Sequence, residues 1–140
     1  MGSNDPDTAT VFVIDDDVAV RDSLTTLLLA YGLAVEAFDS VASFKNAYRP
    51  ARPACLILDQ HLPVTTGLEF LASAEGRQLC MPVILATAQS DKDIRAQAAE
   101  AGVYAFLAKP VDTGALLAAI EGAIVRSKET PCPQFGGDGR

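Results

Sequence analysis

Short apolar runs alternate with longer segments of helical period five times between Thr10 and Arg126, and this alternation constrains the chain more than any other feature. It is the pattern of βαβ units, in which crossover helices join parallel strands, and it predicts an α/β fold with one open sheet. Val11-Phe12-Val13-Ile14, Cys55-Leu56-Ile57-Leu58 and Val83-Ile84-Leu85-Ala86 are apolar at every position. A strand needs that only when helices cover both faces of its sheet. Val35 and Phe38 instead flank Glu36, an alternation that suits an edge strand. A last short strand is expected at Ala105-Phe106-Leu107.

Helices fill the intervals. Val20, Leu24, Leu27, Leu28 and Tyr31 recur at helical spacing, with Gly32 placed to cap the end. Val41, Phe44 and Tyr48 mark a second helix, and Leu68, Leu71 and Ala74 a third, opened by Thr66 as N-cap. A fourth opens at Ser90 or Asp91 and ends near Gly102. The last begins at Asp112 and carries Leu116, Leu117, Ile120 and Ile124 as its apolar stripe to about Arg126.

A length of 140 residues suits one domain. We expect it to span 10–126, preceded by a disordered segment over 1–9 and followed by a Pro/Gly-rich flexible tail or linker over 127–140. The apolar runs are too short for a membrane span, and the polar start of the chain does not resemble a signal segment, which predicts a cytoplasmic location. With 18 acidic against 11 basic residues the net charge is −7, the wrong sign for direct nucleic-acid binding. Cys55, Cys80 and Cys132 lack metal-ligand spacing and read as buried thiols or exposed bystanders.

In an open parallel sheet, ligands gather outside the carboxyl ends of the strands. There the sequence places Asp15, Asp16, Asp59, Thr87 and Lys109. Clustered carboxylates repel one another, so their ionisation at neutral pH calls for a cation, and hard oxygen donors suit Mg²⁺. A carboxylate on a rigid strand end beside a divalent ion and a lysine can attack a phosphoryl group, and Asp59 fits that role best. Lys109 would stabilise charge on the phosphoryl oxygens, and the Thr87 hydroxyl could donate to one of them. Asp17 reads as a loop or helix-entry acid, since two carboxylates suffice for an ion that keeps several waters.

Ile14-Asp15-Asp16-Asp17, Leu58-Asp59 followed by Leu62-Pro63 and Gly67, Thr87-Ala88 and Lys109-Pro110 together resemble the response-regulator receiver family of bacterial two-component signalling, over about Thr10 to Arg126. Each element alone is common; the four in this order at successive strand ends are specific. The resemblance implies a doubly wound, flavodoxin-like sheet of five parallel strands in the order 2-1-3-4-5, with a cis Lys109-Pro110 bond. It implies that Asp15 and Asp16 serve Mg²⁺, that Asp59 is phosphorylated and that Lys109 pairs with the phosphoryl group. Thr87 and Phe106 become switch residues, and His61 offers its backbone carbonyl to the metal. His61 and Gln89 would flank the phosphoryl group and tune its hydrolysis. Gln60 and Val64-Thr65-Thr66 depart from the commonest family wording, which bears on phosphoryl lifetime and kinase choice.

The function implied is that of a signalling phosphoacceptor with slow autophosphatase activity, not an enzyme. Its partners would be a sensor histidine kinase or phosphotransfer protein, and a second copy in a phosphorylation-dependent homodimer, with control of transcription through a separate output domain. Two other readings stay open. A metal-dependent phosphohydrolase could use the same aspartate nucleophile but needs substrate-binding loops, and a degenerate receiver could serve as a protein-binding scaffold without phosphorylation.

Overall fold

The computed structural model describes residues 8–50, 53–88 and 92–129. The expected segment at the start of the chain, the Pro/Gly-rich tail, Gln89, and the Ser90 or Asp91 helix start lie largely or wholly outside those residues. Five strands, β1 (Thr10–Ile14), β2 (Ala34–Phe38), β3 (Ala54–Asp59), β4 (Val83–Thr87) and β5 (Ala105–Ala108), form one sheet in the order β2-β1-β3-β4-β5. Every pairing is parallel, as the alternation requires. The intervals hold α1 (Val18–Ala30), α2 (Val41–Ala47), α3 (Gly67–Ala72), α4 (Ala74–Arg77), α5 (Lys92–Glu100) and α6 (Thr113–Glu129). None of these helices is long and apolar enough to cross a membrane.

Successive residues of the central strands feed opposite cores. Phe12, Ile14, Leu56, Leu58 and Leu85 pack with Phe44 and Phe70 on one face of the sheet. Val11, Val13, Cys55, Ile57 and Ile84 pack with Leu28, Leu116 and Ile120 on the other. This two-sided burial explains why β3 and β4 are apolar along nearly their whole length, while β2 at the edge has no buried position. Burial of the Cys55 thiol pushes its pKa up to about 12, so it acts as a small hydrophobe. Cys80 is disulfide-bonded, which corrects the expectation of an unpaired bystander.

The helix boundaries follow local chemistry. Gly32 and Gly102 take φ of +82° and +81°, the left-handed conformation that closes a helix at low cost to glycine. Thr66 and Glu69 form a reciprocal capping box at the start of α3. The third helical segment is interrupted, because Ser73 is extended and its hydroxyl caps Gly76 N–H to start α4 anew. Asp112 accepts from Ala115 N–H at 2.8 Å and opens α6, which runs to Glu129 with Ser127 buried against the start of β3. The Lys109-Pro110 bond is cis.

Candidate phosphoryl-acceptor site

Three strand ends meet at the carboxyl edge of the sheet. Asp15 directly follows β1, Asp59 is the last residue of β3, and Thr87 is the last residue of β4; all three are at most 5% exposed. Strands put them there because each apolar run stops where the chain leaves the helix-covered interior, and the next residue can be polar. Asp16 is exposed beside them, and oxygens of Asp15, Asp16 and Asp59 lie within 4.8 Å of one another. Lys109, just past β5, donates from Nζ to Asp15 Oδ2 at 3.0 Å and sits 3.3 Å from Asp59 Oδ1.

The electrostatics are those of an anionic pocket with the Lys109 ammonium between its carboxylates. Burial, and then the charge of Asp15, push the Asp59 carboxyl above the usual aspartate range, against the opposing pull of Lys109 and the His61 N–H. Burial by itself draws the Lys109 ammonium down, but its hydrogen bond to Asp15 and the charges of Asp15 and Asp59 outweigh that and raise its pKa. The set of three hard oxygen donors, short of positive charge, fits a divalent ion such as Mg²⁺. The arrangement can present a carboxylate oxygen of Asp59 to an electrophile and neutralise anionic oxygens around it.

The structure places the other expected residues as follows. Thr87 is completely buried, and its Oγ1 lies 3.3 Å from Nδ1 of His61, so the exposed His61 side chain meets the Thr87 hydroxyl directly. The His61 N–H points to Asp59 Oδ1 at 3.3 Å. Phe106 is half-buried against the same core face as Leu85, with the Arg95 guanidinium 4.7 Å from its ring centroid. Asp17 is the N-cap of α1, accepting from Ala19 and Val20 N–H, so its carboxylate is engaged with the helix as the sequence suggested.

Two contributors, Arg21 and Arg95, went unnoticed in the sequence, and a third, Gln60, was marked there only as a departure from the commonest family wording. Arg21 donates from Nη1 to the Asp15 carbonyl at 2.8 Å and braces the β1–α1 turn. Arg95 covers Phe106 across elements. Gln60 is 6% exposed, and its side chain accepts from Leu68 N–H at 2.9 Å. Only Gln60 left a trace in the sequence, as a polar residue just after an acid on an otherwise apolar strand.

The family model for the response regulator receiver domain matches residues 11–121. The chain is 40% identical over 124 residues to the transcriptional regulatory protein FixJ of Azorhizobium caulinodans, a match covering 89% of this chain and 59% of that protein. It is 36% identical over 121 residues to the transcriptional regulatory protein TdiR of Thauera aromatica, covering 86% and 53% respectively. The chain therefore spans little more than half the length of these curated relatives. Among solved structures, the response regulator StyR superposes with a TM-score of 0.79 at 37% identity, covering 87% of this chain and 62% of that one. FixJ-N superposes with a TM-score of 0.74 at 30% identity, covering 87% and 95%.

Proposed function

Because this chain belongs to the response regulator receiver domain family, we propose that Asp59 is the residue on which it accepts its phosphoryl group in two-component signalling. The observation that carries the assignment is the placement of Asp59: a carboxylate at a rigid strand end, 5% exposed, with Lys109 Nζ 3.3 Å from Oδ1 and two further carboxylates alongside. The donor is a phosphohistidine of a sensor kinase or phosphotransfer protein. An Asp59 oxygen forms the new bond to phosphorus as the nitrogen–phosphorus bond breaks, and the donor imidazole leaves with the electron pair.

Asp15, Asp16 and Asp59, with the His61 carbonyl, would hold Mg²⁺, which supplies positive charge for the phosphoryl oxygens. Lys109 moves from balancing two carboxylates to pairing with the phosphoryl group. The Thr87 hydroxyl leaves His61 and donates to a phosphoryl oxygen, and Phe106, on the same sheet face two register positions away, repacks with it. The surface of α5 and β5 changes, and through a separate output domain that change controls transcription, in keeping with the names of the relatives. Loss of the phosphoryl group to water is slow, and the domain acts as a signalling protein with one turnover per signal.

Incubation with Mg²⁺ and acetyl phosphate, followed by intact-mass measurement, tests the assignment. The native chain gains one phosphoryl group and Asp59→Asn gains none. An equal gain on the Asn variant would overturn it.

A further inference from the structure

We propose that Gln60 is a positioning residue for phosphoryl transfer, holding the acceptor loop at both of its ends. This rests on the reading of Asp59 as acceptor. Gln60 directly follows Asp59 and makes three hydrogen bonds, two through its backbone and one through its side chain. Its N–H donates to the Ala86 carbonyl at 2.9 Å and extends the β3–β4 pairing one residue past the acceptor. Its carbonyl accepts from Gly67 N–H at 3.0 Å, and its side-chain Oε1 from Leu68 N–H at 2.9 Å. Those are the first two amides of α3, which have no partner within the helix. The third, Glu69 N–H, is taken by Thr66.

The loop 61–66 thus leaves and returns at a single buried residue. Within it, Leu62 is 9% exposed and anchored in the core, and His61 N–H reaches Asp59 Oδ1. The direction of the acceptor carboxylate therefore depends on where this loop sits. Gly67 tightens the same closure, because a Cβ there would stand 2.8 Å from the Asp59 carbonyl oxygen. An aliphatic residue at position 60 would fill the space but leave Leu68 N–H buried without an acceptor, and the loop would shift to find one. Displacements of that kind near a reacting group lower rates without abolishing them.

The test compares the full native chain with Gln60→Met and Ser127→Ala. Ser127 accepts from Ala54 N–H at 3.0 Å at the opposite end of β3, so its loss also strips a buried amide of its acceptor, far from the site. Phosphorylation by acetyl phosphate with Mg²⁺, followed by intact mass well below the melting temperature, should show Gln60→Met slower by roughly tenfold in maximal rate, with the half-saturating donor concentration unchanged. Calorimetric titration should show weaker Mg²⁺ binding in the same variant. Ser127→Ala should keep the native rate and Mg²⁺ affinity despite a comparable loss of thermal stability. Native rate and affinity in Gln60→Met, or an equal loss in Ser127→Ala, would overturn the proposal. Should Gln60→Met not fold, Gln60→Asn, whose amide is one methylene too short to reach Leu68 N–H, takes its place with the same expectations. If the native chain gains no mass, the acceptor assignment falls, and the Mg²⁺ titration alone decides the role of Gln60.

Discussion

Replacing Asp59 by Asn should stabilise the fold in the absence of divalent ions, even though it removes the proposed acceptor. Asp59 faces oxygens of Asp15 and Asp16 within 4.8 Å and Lys109 Nζ at 3.3 Å. At an effective dielectric of about 20, each repulsion at that separation is about 3.5 kcal/mol and the attraction about 5 kcal/mol. Asp16 is exposed, so its share is screened, and the Coulomb balance against the ionised carboxylate is about 0–2 kcal/mol, to which burial, the largest cause of its raised pKa, adds. An Asn keeps the shape and removes the charge. For a domain of this size the gain corresponds to a melting temperature higher by about 4–8 °C.

The pH dependence follows from the raised pKa of Asp59. Between the unfolded value of about 3.9 and the higher native value, the folded state binds more protons than the unfolded one, so stability falls as pH rises through that window. The advantage of Asp59→Asn is therefore absent below the unfolded value, grows across the window and is complete above the native value. Thermal melts in chelator at a series of pH values measure it directly. A variant no more stable than the native chain at neutral pH, or an advantage largest in acid, would refute the electrostatic account.

Adding Mg²⁺ should raise the native melting temperature and do so less for Asp16→Asn, as scanning calorimetry at increasing ion concentration would show. Lys109→Met leaves Asp15 and Asp59 without the Lys109 ammonium, and a urea titration in chelator should find it less stable by about 2–4 kcal/mol, with part of the loss restored by Mg²⁺. Gly67→Ala introduces a Cβ 2.8 Å from the Asp59 carbonyl and 3.0 Å from Leu85 Cδ1, and should cost about 1–3 kcal/mol in the same titration.

The elements and the main site residues were legible because two local signals coincide in this chain. Fully apolar runs can only be central strands of a covered sheet, and the polar residue ending each run must then lie at the carboxyl edge, as Asp15, Asp59 and Thr87 do. Caps at Thr66 and Asp112 were legible for the same reason, since each acts within three residues of itself. The break at Ser73 was not, because Leu68, Leu71 and Ala74 keep helical spacing across it. Gly76 signals it only after folding, when a Cβ there would collide with the backbone of Phe70 and Leu71. Arg21, Gln60 and Arg95 act on a carbonyl, a helix amide and an aromatic ring supplied by other parts of the chain, and no periodicity marks such contacts.

The sequence by itself therefore determined which segments are strands and helices and which polar groups end the strands, because burial on two faces imposes composition residue by residue. Tertiary structure decided how those groups meet. Lys109 lies 94 positions from Asp15 and donates to it at 3.0 Å, Thr87 faces His61, and Gln60 closes the loop that follows Asp59. Strand order and crossover packing set those distances, and they arise from the joint fit of all the helices on the sheet, which no local pattern encodes.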